Sequence, residues 1–255
     1  MIGGMGVGGP KNLTCGLLEA VRACDYVFAE KYTDPEDEST LQEVESFTGK
    51  KVVLLDRADL EENNALVVLK AAQQANVALL VFGDPFIFTT HLVVKRRAES
   101  MGIPVKVFHG LSVLSLAPSS SGLDPYRFGP PVTLVFPDEK YGYFPETPYE
   151  VVADNLSRDL HTLLLMDVRA SEGRFMSFEE AFDLLGQLEK KLGKGIFVKG
   201  RKIVLLAALG SDREVVKWVD FGDGPPRGGF PLPRSAIIPA SIRFYEEASP
   251  LGRNG

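Results

Sequence analysis

The chain has 255 residues, of which 45% are hydrophobic and 24% are charged, a globular composition with room for one large domain or two smaller ones. Its formal net charge of −6 excludes the broad basic surface on which nucleic-acid-binding proteins depend, so we expect no nucleic-acid partner. No apolar segment reaches the ~18 residues of a membrane span, so we expect no membrane association.

Few side chains are spaced to form a disulfide or hold a metal. Cys15 and Cys24 are predicted to lie on opposite faces of one helix, where they cannot be bridged, as is usual in a reducing, intracellular setting. The three histidines, His91, His109 and His161, show no metal-ligand spacing. We therefore expect no metal.

Predicted strands and helices alternate along the first 110 residues. A glycine-rich turn at Gly3–Gly9 leads to a helix predicted over Leu13–Cys24. Further strands are predicted at Tyr26–Ala29, Val52–Leu55, Val77–Phe82 and Val105–Phe108, with intervening helices that end at Gln74 and Ser100. This alternation predicts an α/β fold with a mostly parallel sheet.

The stretch that begins at Val77 is the most informative of these. The run Val77–Phe82 is apolar without alternation, which predicts a strand buried on both faces. Gly83 and Pro85 end the strand and leave the carboxylate of Asp84 at its carboxyl end, the edge at which open α/β sheets bind ligands. The alternative is that Asp84 only forms the turn. Thr89 or Thr90 is predicted to cap the next helix.

The glycine turn has a second interpretation. Gly4, Gly6 and Gly9 have the spacing Gly-x-Gly-x-x-Gly, and Glu30 ends the next strand about twenty residues later. This pattern is typical of dinucleotide-binding oxidoreductases that use NAD. The alternative is a turn that requires positive φ angles, which explains most glycine clusters of this kind.

A serine follows the strand predicted at Val105–Phe108. Ser112 is a candidate nucleophile or helix N-cap, and because Leu114 replaces the second glycine of Gly-x-Ser-x-Gly, we favour the cap. His109, just before it, is interpreted as a sheet-edge histidine whose hydrogen bonds are satisfied.

The second half of the chain differs from the first in its composition and its pattern of predicted elements. Ser119–Pro131 is rich in Ser, Gly and Pro and predicts a domain boundary, which we place between residues 1–111 and 112–255. Strands are predicted at 132–136, 161–168, 203–209 and 235–239, and helices at Glu150–Arg158 and Phe178–Leu192. The long loop Pro137–Tyr149 is rich in aromatic residues, which either dock a partner or pack the loop onto its own domain.

Together, these motifs resemble a known family. Gly4–Thr14 is similar to the opening of the tetrapyrrole methylase superfamily, and Phe82–Pro85 resembles its Gly-Asp-Pro motif. Other stretches narrow the resemblance to the diphthine synthases, methyltransferases of diphthamide biosynthesis. These are Cys24–Glu30 with Tyr32-Thr33, Thr89–His91, His161–Leu164 with Asp167-Val168, and Ile237–Pro239.

The resemblance implies two α/β domains with mostly parallel sheets and S-adenosylmethionine in the cleft between them. It implies a cytoplasmic homodimer that methylates, repeatedly, the amino group of a 3-amino-3-carboxypropyl-histidine on elongation factor 2. Cofactor contacts are implied for Val7, Asp84, Ile87, Ser112, Val113, Met166, Leu209 and Arg234. The family often has a histidine where this chain has Arg234. Neither the residues nor the resemblance identifies a catalytic base.

Overall fold

The computed structural model describes residues 1–31, 38–56, 58–138, 142–169, 172–225 and 227–246. They form two compact units. The first contains Met1–Val113, with the described residues of Arg169–Gly173 and Gly210–Asp212. The second contains Leu114–Val168, Arg174–Leu209 and the described residues from Arg213 onward. The sequence-based domain boundary between residues 111 and 112 stays a prediction.

The first unit is a five-stranded sheet with helices. Its strands are β1 Ile2–Gly4, β2 Tyr26–Glu30, β3 Val52–Leu55, β4 Val77–Val81 and β5 Val107–Phe108. Its helices are α1 Cys15–Arg22, α2 Glu38–Thr48, α3 Leu66–Ala72 and α4 His91–Ser100. The strand order is β3-β2-β4-β1-β5, and each pairing is parallel, as the alternation of elements predicts.

Strand β4 is buried along its whole length at the centre of this sheet. Ala78 and Leu80 belong to one hydrophobic cluster, whereas Val77, Leu79 and Val81 belong to another. Because successive side chains of a strand point to opposite faces, the sheet carries a core on each side. The unbroken apolar run is therefore explained, and the predicted doubly buried strand is confirmed.

Helix α1 begins later than the sequence predicts. A single 3₁₀ turn, Pro10–Asn12, follows the glycines, and the Thr14 hydroxyl then accepts a hydrogen bond from Leu17 N–H at the start of α1. Cys24 lies beyond the end of the helix and is buried, while Cys15 is exposed.

The remaining elements follow in chain order. The helices are α5 Val113–Ser121, α6 Thr147–Ser157 and α7 Phe178–Leu192. The strands are β6 Val132–Leu134, β7 Thr162–Met166, β8 Val168–Arg169, β9 Arg174–Phe175, β10 Lys202–Ala207, β11 Val215–Asp220 and β12 Arg234–Ile238. Strands β8 and β9 pair with each other, and the other five form the sheet of the second unit.

This second sheet differs from the prediction of mostly parallel strands. Its order is β11-β10-β12-β7-β6, and only β6 and β7 pair in parallel, while the other three pairings are antiparallel. The apolar runs at β10 and β12 reflect their burial, which does not depend on strand direction. The α/β class is confirmed, whereas the predicted direction of these strands is wrong.

Helix α7 has the bounds that the sequence predicts. Ser177 and Glu180 form a capping box, in which each side chain accepts a hydrogen bond from the other residue's N–H. Gly193, with φ 63°, lies at the end of the helix in the left-handed conformation. The apolar face of α7 packs into the core of the second unit.

Candidate functional site

Backbone hydrogen bonds join three loops at the carboxyl edge of the first sheet. Gly6 and Gly83 exchange N–H···O bonds of 3.1 and 3.0 Å, and Val7 N–H donates to Leu111 O at 3.1 Å. These loops follow β1, β4 and β5, and we call residues 5–9, 83–90 and 109–113 the loop cluster. The cluster brings together five of the predicted cofactor contacts, namely Val7, Asp84, Ile87, Ser112 and Val113.

Glycines allow these loops to approach so closely. A Cβ atom on Gly4 would lie 2.4 Å from the Gly83 oxygen, and one on Gly110 would lie 2.2 Å from the same atom. Real Cβ atoms do not come this close to backbone, so a side chain at either position would force the loops apart. The loops after β4 and β5 therefore meet beyond the end of β1, which lies between those strands.

Asp84 is a buried polar residue of the loop cluster with both carboxylate oxygens engaged. Its side chain is only 6% exposed, and Oδ1 accepts a hydrogen bond from Phe86 N–H at 2.9 Å. Its other oxygen, Oδ2, lies 2.8 Å from Nδ1 of His109, whose side chain is 73% exposed. Asp84 thus forms the turn, as one interpretation held, and also holds a histidine that the sequence did not link to it.

The other predicted contacts of the loop cluster are placed by local structure. Ile87 N–H lies 3.4 Å from Asp84 O within the turn. Ser112 is buried and directly precedes α5, which begins at Val113, so it lies where an N-cap residue is expected. The predicted caps of α4 are wrong: Thr90 makes no side-chain capping bond, and the Thr89 hydroxyl donates to Pro85 O.

The three remaining predicted contacts share one edge of the second sheet. Met166 ends β7, Arg234 begins the antiparallel β12, and Leu209 follows β10, whose last residue pairs with Arg234. Met166 and Leu209 are buried. The guanidinium of Arg234 donates two hydrogen bonds to Phe230 O, which fixes its direction.

The local geometry of the first unit does not match a dinucleotide-binding turn. In that motif a helix begins directly at the glycines, so that its N-terminus faces a pyrophosphate. Here α1 begins at Cys15, six residues after Gly9, and Glu30 is fully buried rather than available to ribose hydroxyls. The prediction of an NAD-type oxidoreductase is therefore not supported.

Among the described residues, no group of three or more His, Cys, Asp or Glu side chains is arranged to hold a metal ion. Within the same part of the chain, no helix combines the length and the apolar character needed to cross a membrane.

Comparison with known proteins gives consistent results. Residues 2–221 match the family model of the tetrapyrrole (corrin/porphyrin) methylases. The chain is 38% identical to a diphthine synthase of Staphylothermus marinus, over 90% of this chain and 84% of that protein. It is 37% identical to a diphthine synthase of Methanosphaerula palustris, over 96% of this chain and 94% of that protein.

A solved structure agrees with these relatives. The crystal structure of a diphthine synthase superposes with a TM-score of 0.82 at 33% identity, over 96% of this chain and 92% of that one. The match therefore includes both sheets as well as the glycine turn and the Gly-Asp-Pro loop. The chain belongs to the tetrapyrrole methylases and, among them, to the diphthine synthase family.

Proposed function

We propose that this protein is an S-adenosylmethionine-dependent methyltransferase of diphthamide biosynthesis. Its substrate is elongation factor 2 carrying a 3-amino-3-carboxypropyl group on a histidine, and it methylates the amino group of that chain repeatedly to give diphthine. The observation that carries the proposal is identity of more than one third to diphthine synthases along nearly the whole chain. The glycine-lined loop cluster supports it independently.

The residues of the loop cluster fit the proposed cofactor. A nucleoside ligand needs backbone donors and acceptors that it can approach closely, and Gly4, Gly6 and Gly110 leave the loops without side chains there. It also needs a fixed acceptor for hydroxyl or amino groups. The carboxylate of Asp84 has two described partners and can accept further hydrogen bonds, because its oxygens offer about four lone-pair sites.

Two sets of residues would hold the cofactor. The first set is Val7, Asp84, Ile87, Ser112 and Val113 in the loop cluster, and the second is Met166, Leu209 and Arg234 at the edge of the second sheet. We propose that both sets contact one bound cofactor molecule. When bound, the cofactor supplies a methyl group on a positively charged sulfur.

In such a reaction the protein acts mainly by positioning the two reactants. Transfer of a methyl group to an amine is an in-line displacement, and holding two reactants in line accounts for on the order of 7–11 kcal/mol of barrier reduction. Backbone groups joined as closely as Gly6 and Gly83 are well suited to hold a ligand in one orientation. No metal or nucleophilic triad is needed.

We further propose a cytoplasmic homodimer. Several apolar side chains of the first unit are exposed in the single chain, and a second copy would cover them. They include Val53, Leu54, Leu66, Val67, Leu92 and Val93. Sedimentation equilibrium tests this assembly, since a monomer at micromolar concentration would contradict it.

Calorimetry tests the choice of cofactor. We expect S-adenosylhomocysteine to bind and to raise the melting temperature, because a ligand at 100 times its Kd stabilises the folded state by about 2.7 kcal/mol. NADH serves as the matched control and should have no effect. Stabilisation by NADH without any response to S-adenosylhomocysteine would overturn the proposed function.

A further inference from the structure

The hydrogen bond between Asp84 and His109 joins a buried group to an exposed one. Asp84 is fixed by the Phe86 N–H and lies three residues after the central strand β4. His109 follows β5, and its ring is nearly three-quarters exposed although Nδ1 is held at 2.8 Å from the carboxylate. The ring therefore has a fixed inner edge and an accessible outer edge.

This arrangement determines which nitrogen can accept a proton. An ionised carboxylate only accepts hydrogen bonds, so Nδ1 of His109 carries the hydrogen and donates it to Asp84. Nε2 is then left with a lone pair, and no hydrogen bond to it is found within the described ranges. An oriented, neutral imidazole with an open Nε2 is the usual form of a histidine general base.

The proposed reaction needs such a base. An alkyl amine is mostly protonated near neutral pH, and an ammonium nitrogen has no lone pair with which to attack. Each round of methylation on a nitrogen that still carries hydrogen must therefore begin with the loss of a proton. His109 lies in the loop cluster that also contains five of the proposed cofactor contacts, so it is near the place where the amine must arrive.

We propose, on the basis of the proposed function, that His109 is the general base of the methyl transfer and that Asp84 positions it. The N–H bond of the substrate ammonium breaks, and its electron pair stays on the amine nitrogen. That pair would form the new N–C bond while the methyl–sulfur bond of the donor breaks, with the electrons of the broken bond left on sulfur as a neutral thioether. The proton forms an N–H bond with Nε2 of His109. The resulting imidazolium is stabilised by Asp84 and then releases the proton to water.

Asp84 is the charged group that contacts His109 in the described part of the chain, from the loop after β4. The neighbouring lysines have other partners: Lys106, three residues before His109, lies over the Phe108 ring at 4.8 Å, and Lys11 pairs with Asp212 at 2.6 Å. The rival explanation is that His109 only holds Asp84 in place for the cofactor.

Substitution by asparagine separates these two roles. His109→Asn places an amide N–H near the position of Nδ1 and so can still donate to Asp84, but it has no nitrogen that accepts a proton. We expect S-adenosylhomocysteine affinity to stay within about twofold by calorimetry, while kcat falls by roughly 10²-fold or more, as for the loss of a general base. The rate of the variant should then rise with pH in step with the fraction of free amine, because no protein base takes up the proton.

A control and a rescue complete the experiment. Lys106→Gln removes a nearby exposed charge and should leave kcat and its pH profile unchanged. His109→Ala should regain activity with added imidazole, because the exposed position admits a small base. Normal kcat with an unchanged pH profile in His109→Asn, or no imidazole rescue of His109→Ala, would overturn the role of His109. If the wild-type protein transfers no methyl group at all, the proposed function itself fails.

The tautomer of His109 can be determined by NMR in the absence of catalysis. In ¹⁵N spectra of the wild-type protein without ligand, His109 should be in the form protonated at Nδ1, and Asp84→Ala should release it to a mixture of tautomers. The other two histidines serve as internal references because each lies beside a different carboxylate, His91 beside Glu30 and His161 beside Glu246. A His109 signal that does not respond to Asp84→Ala would contradict the positioning role.

Discussion

At the scale of single residues, Asp84 was predictable but its partner was not. A carboxylate directly after an apolar run marks the carboxyl end of a buried strand, and that signal is local in the sequence. The bond to His109 joins residues 25 positions apart and depends on β1 lying between β4 and β5. No periodicity or spacing in the sequence contains that strand order, so the sequence alone does not link His109 to Asp84.

The charge of Asp84 can be removed without changing its turn. Asp84→Asn keeps an oxygen for the Phe86 N–H but weakens acceptance from cofactor hydroxyl or amino groups. We expect S-adenosylhomocysteine to bind about tenfold more weakly, which corresponds to ~1.4 kcal/mol, with little change in melting temperature. Calorimetry that gives the wild-type Kd would show that Asp84 does not contact the cofactor.

A buried histidine should make the first unit sensitive to acid. Burial of His91, at the start of α4, lowers its pKa from 6.5 to about 4, although Glu61 opposes the shift. Because the unfolded chain then binds the proton more readily, stability is fully present above about pH 6.5 and is lost progressively as the pH falls to about 4. The free energy of unfolding that is lost over this pH range is on the order of 3 kcal/mol.

Chemical denaturation at a series of pH values checks this dependence. The wild-type free energy of unfolding should fall across that window, and His91→Gln should lose part of the slope because it cannot titrate. Glu30, 3.6 Å from His91, and Glu61 remain in the variant, so their contribution is controlled. Equal slopes in both proteins would show that His91 does not carry the effect.

At the scale of elements, the sequence predicted those with strong local signals. Helix α7 has a capping box and a terminal glycine, and β4 is an unbroken apolar run. Helix α2 was missed because few of its side chains are apolar and buried, and β11 was missed because it is an edge strand that is only partly buried. The antiparallel direction of β12 depends on pairing with β7, about seventy residues earlier, which no local pattern encodes.

Backbone atoms of the loop cluster pack closely around Gly110, so we predict that no side chain fits there. Its Cβ would meet Gly83 O at 2.2 Å and Gly6 N at 2.7 Å, both of them backbone atoms that cannot rotate away. Gly110→Ala should therefore abolish S-adenosylhomocysteine binding and cost at least ~1–3 kcal/mol of stability.

Gly16 in α1 provides the matched control for Gly110→Ala. A Cβ there meets nothing within 4 Å, so Gly16→Ala should be neutral or stabilise the helix by up to ~1 kcal/mol. Thermal melts compare the stability of the two variants, and calorimetry compares their affinity for S-adenosylhomocysteine. Normal binding by Gly110→Ala would show that the three loops do not form the cofactor site.

A buried charge network holds residues near 246 to the second sheet. The carboxylate of Glu246 accepts hydrogen bonds from the N–H groups of Asp124 and Arg243 and contacts Arg127 and His161. Burial alone would raise the pKa of Glu246, but these hydrogen bonds outweigh it and the pKa is lowered. The network therefore favours the ionised carboxylate in the folded state.

Neutralising Glu246 should destabilise the second unit. Glu246→Gln removes the buried countercharge of the Arg127 guanidinium and leaves it only the half-exposed Asp159, 2.9 Å away, at a cost on the order of 3 kcal/mol. Glu150→Gln, an exposed change in α6, is the control and should cost less than about 0.5 kcal/mol. Equal melting temperatures for the two variants would contradict this account of the network.

At the scale of the whole molecule, two sheets of different construction occur in one chain. The parallel sheet of the first unit has its loop cluster at the carboxyl edge, as sequence reasoning predicts for open α/β sheets. The mixed sheet of the second unit brings Met166, Leu209 and Arg234 to a single edge through antiparallel register. Residue types alone could not place these three together, and the resemblance to a family was needed to select them.

The loop before α6 is a candidate docking surface for the protein substrate. Of its aromatic side chains, Tyr143 and Phe144 are the candidate anchors, while Tyr141 lies outside the described residues. Phe144 packs against the core of the second unit beneath Lys191, as the packing interpretation holds, whereas Tyr143 is 49% exposed. The structure therefore favours Tyr143 alone as an anchor.

Kinetics on the two single variants separate docking from packing. Tyr143→Ala should raise KM for elongation factor 2 by roughly tenfold, equivalent to ~1.4 kcal/mol, with melting temperature and cofactor affinity unchanged. Phe144→Ala should instead lower the melting temperature. If Tyr143→Ala leaves KM unchanged, this loop does not receive the substrate.

Methyl transfer to elongation factor 2 tests the central claim most directly. The protein is incubated with S-adenosylmethionine labelled in its methyl group and with elongation factor 2 that either carries the 3-amino-3-carboxypropyl group or has an unmodified histidine. We predict that label enters only the modified factor, at the amino nitrogen of that chain, and that mass spectrometry detects more than one added methyl group. No incorporation, or equal incorporation into both forms, would contradict the account.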